Sequence, residues 1–157
     1  MAETKAQVYE RVVRELRGLL DGLEDPVAVM ASTAALVHDA LPLASWTGFY
    51  RVVGPDLLRI GPYQGPVGCV EIAFGKGVCG AAARDRETYV VPDVHAFSGH
   101  IACDTAARSE IVVPIQTADG SLAAVLDIDS REPAAFDEED RRGLEAIAEI
   151  LKEHFRA

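Results

Sequence analysis

Three cysteines lie close together in the chain, at Cys69, Cys79 and Cys103. As a zinc site they are unconvincing, because the nine and 23 residues between them leave no short cysteine pair of the kind that structural zinc sites use. As a redox site they offer an attacking thiolate and a second thiol to reach it. Burial of each thiol as a small apolar group is the remaining interpretation. The cluster therefore favours thiol chemistry over metal binding and leaves simple burial open.

The sequence offers two candidates for a reactive thiolate. A free thiol has a pKa of about 8.5, so a local feature must stabilise its anion at neutral pH. Cys79 follows a glycine-rich turn and falls in the first turn of a predicted Ala-rich helix, where backbone N–H groups favour negative charge. Cys103 lies in a long predicted loop near His100 and Arg108, but beside Asp104. Electrostatics favour Cys79, whereas composition and spacing leave the nucleophile open.

Three acidic residues are predicted to share one sheet face. Asp127 and Asp129 are two residues apart on a predicted strand, so their side chains point to the same side. Glu110 lies across a predicted hairpin from them. On a solvated face such carboxylates would mean little. In a pocket they would form a strongly negative site, suited to an ammonium group or to holding a proton for a leaving oxygen.

Two aromatic residues are predicted to lie on one strand face as well. Trp46 and Tyr50 are four residues apart, and Gly48 lies between them on the same face. Core packing is the ordinary interpretation. Alternatively, the small residue leaves a slot between two rings, which beside acidic groups would suit a small zwitterion with an apolar side chain.

The overall composition narrows the possible partners and the compartment. The chain has 157 residues, with 15 Lys and Arg against 25 Asp and Glu, and a net charge of -10. This charge disfavours binding to nucleic acids and to anionic membrane surfaces. Apolar stretches fall short of the ~20 residues that a spanning helix needs, and the first residues lack a signal-peptide pattern. We expect a cytoplasmic protein with a single domain over residues 1–157.

Hydrophobic periodicity predicts where these residues are held. Helices are predicted from Val8, after Asp25 and Pro26, at Cys79, and after Asp137. Strands are predicted at 45–53, 57–63, 69–72, 110–116 and 121–129, the last two joined at an Asp-Gly turn. Because the elements do not alternate regularly, an antiparallel α+β architecture is favoured over a doubly wound sheet. The apolar stripe of the first helix could dock on this sheet or on a second subunit, which leaves a homodimer open.

Six strings, in this order and spacing, resemble a known family. They are SWTGFY, GPYQG, FGKGVCG, VPDVHAFSGHIACD, RSEIVVPI and LDIDS. They closely resemble the free methionine-(R)-sulfoxide reductases, which are built on the GAF domain. The similarity extends from about Ser45 to the last helix, and GHIACD and LDIDS are its most specific strings.

The resemblance implies a fold and a set of residue roles. The fold would be a six-stranded antiparallel sheet with helices on its faces. Cys103 would be the catalytic nucleophile, Cys69 the resolving cysteine and Cys79 an auxiliary cysteine, against the electrostatic preference for Cys79. The substrate-binding residues would be acidic side chains and an aromatic wall: Glu110, Asp127, Asp129, Trp46 and Tyr50.

The resemblance also implies a reaction. Free methionine-(R)-sulfoxide would be reduced to methionine, leaving a sulfenic acid on Cys103 that condenses with Cys69 to a disulfide. A thioredoxin-type reductant would then restore the thiols, with no metal or organic cofactor. Closing the disulfide requires the loop carrying Cys103 to fold over the strand carrying Cys69. The competing interpretations are a GAF sensor of small ligands without catalysis and a thiol redox sensor.

Overall fold

The computed structural model describes residues 1–101, 103 and 105–156. Asp104, which the sequence places beside Cys103, lies outside the described residues. Within them the chain forms four α-helices and six strands. In chain order the elements are α1 Lys5–Leu20, α2 Pro26–Ala40, β1 Ala44–Gly54, β2 Leu57–Gln64, β3 Glu71–Ala73, α3 Gly77–Asp85, β4 Tyr89–Val91, β5 Ser109–Gln116, β6 Leu122–Ser130 and α4 Glu138–Lys152.

The strands form one antiparallel sheet in the order β3-β2-β1-β6-β5-β4. This sheet, with helices on both faces, confirms the predicted α+β class and the GAF-type architecture. β3 begins at Glu71, whereas the predicted strand began at Cys69. The sequence did not predict β4, because its three residues are too few to show a period of two. None of the described helices is long and apolar enough to cross a membrane.

Side chains alternate between two different cores along the central strands. Leu126 and Ile128 of β6 pack into the larger core, beneath α1, α2 and α4. Val125 faces the opposite side, in a smaller core that includes Cys79 of α3 and Tyr50 of β1. The thicker helical layer therefore supports the sheet from one face. The other face remains available for a site beneath α3.

The apolar stripe of α1 is buried within its own chain. Val12, Leu16 and Leu20 are all buried in the larger core. Of the two docking alternatives for this stripe, packing within the chain is therefore the one observed. The homodimer stays a prediction, since it no longer follows from an uncovered face of this helix.

The contact between α1 and α4 is built on a tyrosine that lies over a glycine. A Cβ added to Gly143 would lie 2.1 Å from Cγ of Tyr9. The same ring is fixed at its far end, because the Tyr9 hydroxyl donates to Oδ1 of buried Asp140 at 2.7 Å. The Lys5 ammonium contacts the other carboxylate oxygen at 2.5 Å. The ring is held at both ends and has no easy way to move aside.

We expect Gly143→Ala to lower the free energy of unfolding by ~1–2 kcal/mol, because overpacking outweighs the gain of ~1 kcal/mol in helix propensity. Gly18→Ala is the matched control: Gly18 lies on the exposed side of α1 and its added Cβ meets nothing within 4 Å. That variant should be more stable than the parent, by up to ~1 kcal/mol. Urea unfolding of both variants measures the difference, and equal stabilisation by both would contradict the packing account.

Candidate active site

The three acidic residues that were predicted to share one sheet face lie together on the side of the sheet that α3 covers. Glu110 of β5 is paired directly with Asp129 of β6, and Asp127 lies two residues earlier on the same strand. All three line one cavity, and Glu110 and Asp127 are only 7% and 5% exposed. The face that carries them is therefore a pocket wall and not a solvated surface.

Cys79 lies at the floor of this cavity, in the first turn of α3 as predicted. Its side chain is buried, and its Sγ donates to Oε2 of Glu110 at 3.9 Å. One ligand atom each from Cys79, Glu110 and Asp127 lie within 4.8 Å of one another. The Oδ1 atom of Asp127 is buried and accepts no hydrogen bond from any described residue. The cluster thus has an unsatisfied acceptor.

Burial and mutual repulsion raise the pKa of each of these groups. Burial, followed by repulsion from Asp129, raises the pKa of Asp127 to about 8. Burial, followed by the charge of Asp127, raises the pKa of Glu110 well above its usual value. The pKa of the Cys79 thiol is also raised well above normal, by burial and then by Asp127 and Glu110. The electrostatic preference for Cys79 as the thiolate therefore fails, since burial and then the neighbouring acids outweigh the helix N-terminus.

The aromatic residues form a stacked wall beside the acids. The rings of Trp46 and Tyr50 are stacked with their centroids 5.8 Å apart, and the ring of Tyr63 also stacks with Trp46, at 5.1 Å. A Cβ on Gly48 would lie 2.7 Å from Cη2 of Trp46 and 2.3 Å from Cβ of Tyr63. The expected slot over Gly48 is therefore filled by the indole ring itself. The wall presents ring surface to the cavity instead.

The loop that precedes Cys69 packs against this wall. Nε1 of Trp46 donates to the carbonyl of Pro66 at 2.8 Å. A Cβ on Gly68 would lie 3.1 Å from both Cζ2 of Trp46 and the Tyr50 hydroxyl oxygen, so glycine allows the backbone to approach the rings closely. The aromatic wall therefore also positions the neighbouring cysteine.

Cys69 and Cys103 form a disulfide at the edge of the cavity, with their Cα atoms 5.2 Å apart. This places the loop carrying Cys103 over the segment carrying Cys69, as the disulfide requires. The loop is tied to the start of α3, because the backbone N–H of Gly77 donates to the carbonyl of Gly99 at 3.0 Å. Gly77 has a φ of 60°, which favours glycine, and a Cβ added there would lie 3.3 Å from Cγ1 of Ile101.

Of the eight residues singled out from the sequence, seven line the cavity, and Cys69 reaches its edge through the disulfide. The structure adds lining residues that the sequence did not indicate, including Val67, Lys76, His100 and Ile101. Lys76 lies in the glycine-rich string from Gly75 to Gly80. Because a tight turn accounts for such a string, the sequence offered no separate reason to predict Lys76 as a lining residue. Val67 and Ile101 belong to loops without a period, so no sequence pattern could have placed them.

Comparison with known proteins agrees with this arrangement. The GAF domain family model matches residues 5–152. The free methionine-R-sulfoxide reductase of Saccharomyces cerevisiae is 41% identical over 94% of this chain and 85% of the yeast protein. That of Escherichia coli is 39% identical over 94% of this chain and 88% of its own.

A solved structure extends the similarity to the backbone. It is the X-ray structure of free methionine-R-sulfoxide reductase from Neisseria meningitidis in complex with its substrate, 43% identical to this chain. It superposes with a TM-score of 0.94 over 99% of this chain and 92% of that chain. The sequence strings, the fold and these relatives agree. The chain belongs to the GAF domain family and, within it, to the free methionine-R-sulfoxide reductases.

Proposed function

We propose that this protein reduces free methionine-(R)-sulfoxide to methionine. The observation that carries the proposal is the Cys69–Cys103 disulfide at the edge of a cavity walled by three carboxyl groups. A cysteine pair that closes there can be oxidised by a molecule held inside the cavity. Two relatives named free methionine-R-sulfoxide reductase are 41% and 39% identical to this chain. A solved structure of the same name has the same fold.

The cavity offers a partner for each end of this substrate. The ammonium group would bind among Glu110, Asp127 and Asp129, where the buried Oδ1 of Asp127 lacks a donor. The apolar methyl and sulfur end would lie against the rings of Trp46 and Tyr50, since sulfur and aromatic groups attract each other by ~0.3–1.5 kcal/mol. Substrate held in this way brings its sulfoxide toward Cys103, which lines the same cavity.

The reaction then follows in three steps. The Cys103 thiolate attacks the sulfoxide sulfur while a carboxyl group of the acidic cluster supplies a proton, and the oxygen passes to Cys103 as a sulfenic acid with release of methionine. The thiol of Cys69 attacks this sulfur and expels water, which forms the disulfide. A thioredoxin-type dithiol transfers two electrons and two protons to restore both thiols. A cytoplasmic location would supply such a reductant.

The two cysteines of the disulfide should have separable roles. Cys103→Ser should lower methionine formation from the free R-sulfoxide by ~10³-fold or more, because no thiol then attacks the substrate. Cys69→Ser should release one methionine per chain in a first turnover and then slow strongly, since the sulfenic acid lacks its nearest partner. Measuring the methionine formed in single-turnover and in multiple-turnover reactions checks both predictions. Undiminished turnover by Cys103→Ser would rule out the proposed nucleophile, whereas a parent protein that forms no methionine at all would leave a sensor function.

The acidic cluster should select for the free amino acid. N-acetylmethionine-R-sulfoxide lacks the ammonium group and would leave a buried carboxylate unpaired, which costs several kcal/mol. We expect its kcat/KM to be ~10²-fold or more below that of the free substrate. Asp127→Asn should bring the two kcat/KM values closer together, because it should lower the value for the free substrate more than the value for the acetylated one. Comparable rates for the two substrates with the parent enzyme would contradict the role of the cluster.

The proton supply predicts a falling limb in the pH profile. The pKa of Asp127 is about 8, and the groups that face it are Tyr50 of β1, Cys79 of α3, Glu110 of β5 and Asp129 of β6, with Lys76 and His100 among the other lining residues. Single-turnover methionine formation should therefore slow as the pH rises through about 8, although the thiolate fraction still increases.

Asp129→Asn is the informative variant for this profile. It removes the like charge that raises the pKa of Asp127, so the falling limb should move to lower pH. Glu71→Gln is the control, because Glu71 pairs with Arg59 on the exposed face of β3 and should leave the profile unchanged. A rate that rises steadily to high pH in the parent would exclude the buried carboxyl as proton donor.

A further inference from the structure

The floor of the cavity holds a set of donor atoms of which the proposed reaction uses only part. The Cys79 sulfur, an oxygen of Glu110 and an oxygen of Asp127 come from three elements, α3, β5 and β6, and all lie within 4.8 Å of one another. The three residues are all buried. In the proposed reaction the disulfide forms between the other two cysteines, so the thiol of Cys79 has no assigned task.

Two of these three atoms have nearly the spacing of ligands around a small tetrahedral cation. With Zn–S near 2.3 Å and Zn–O near 2.1 Å, a tetrahedral site places its sulfur and oxygen ligands about 3.6 Å apart. Sγ of Cys79 and Oε2 of Glu110 are 3.9 Å apart, so a few tenths of an ångström separate them from that geometry. All three residues line the cavity, so a fourth ligand, such as water, would come from the cavity itself.

A second, independent observation indicates that the cluster lacks a partner. The Oδ1 atom of Asp127 is buried without a hydrogen bond from any described residue, and Asp127 lines the cavity. A buried acceptor in this position costs free energy until a cation or a donor reaches it. A cation with a double charge compensates a thiolate and two carboxylates better than an ammonium group does.

We propose that Cys79, Glu110 and Asp127 form a binding site for a thiophilic divalent cation of the Zn²⁺ and Cd²⁺ class. The thiolate ligand and the small ligand number select against Mg²⁺ and Ca²⁺, which prefer six or more oxygen ligands. The cation enters from the cavity and displaces the proton of the Cys79 thiol and any proton on the two carboxyl ligands, and these protons pass to water. Binding is independent of the proposed enzyme function. Its consequence, that the cation excludes the substrate ammonium and inhibits turnover, rests on that function.

The oxidised protein isolates this site from the other two thiols. All three cysteines are described, and with Cys69 and Cys103 paired, Cys79 is the free one. Titration of the oxidised protein with Cd²⁺ should therefore produce an ultraviolet thiolate-to-cadmium charge-transfer band that saturates at one equivalent. Calorimetry with Zn²⁺ on the same sample should give the same stoichiometry.

Variants test two of the three ligands, Cys79 and Asp127. Cys79→Ser should abolish the cadmium band, and Cys79→Ala provides the same test if the serine variant folds poorly. Asp127→Asn keeps the thiol and should weaken Zn²⁺ binding at least tenfold, whereas the exposed Glu71→Gln should bind as the parent does. A missing band at one equivalent, a band in either Cys79 variant, or unchanged affinity in Asp127→Asn would each overturn the site.

A kinetic measurement separates the site from the proposed enzyme function. Zn²⁺ should inhibit methionine formation competitively with the free sulfoxide, at concentrations that match its measured affinity for the reduced protein. Binding without competition would leave the metal site standing and refute the overlap with substrate. Turnover that persists normally while no cation binds would refute the metal site and leave the enzyme function standing.

Discussion

The site depends on the burial of acidic groups beside a thiol, on one face of the sheet. Glu110 and Asp127 are almost fully buried, and this burial, followed by repulsion within the cluster, raises the pKa of both carboxyl groups above their usual values. Such a cluster is costly to the fold. The cost is tolerated because the same cluster can bind a cationic group and deliver a proton, which is what reduction of a small zwitterionic sulfoxide requires.

The rest of the fold makes this cluster rigid. The larger core of three helices packs on the opposite sheet face and fixes the strands, so the acidic side chains follow from strand register rather than from loop conformation. The aromatic wall holds the segment before Cys69, and the start of α3 holds the loop before Cys103. Fixed strands and two anchored loops thus place a pair of reactive sulfurs at the edge of a pre-formed acidic cavity.

Local pattern predicted the parts of the site that depend on regular strands. Two residues that alternate on one strand, such as Asp127 and Asp129, share a face whatever the fold, and the hairpin adds Glu110 across from them. Whether that face is wet or buried depends on α3 and the loops, which no local period encodes. The electrostatic preference for a Cys79 thiolate was wrong for the same reason. The helix N-terminus that favours the anion can be predicted from neighbouring residues, whereas Glu110, which disfavours it, is 31 residues away in the chain.

One measurement tests the central claim most directly, namely that a substrate in the acidic cavity oxidises the cysteine pair. Fully reduced protein is mixed with one equivalent of free methionine-R-sulfoxide, without a reductant, and then analysed by peptide mapping and for methionine. The account predicts one methionine per chain and a disulfide linking Cys69 to Cys103. Oxidation that maps to Cys79 instead, or the absence of methionine, would contradict it.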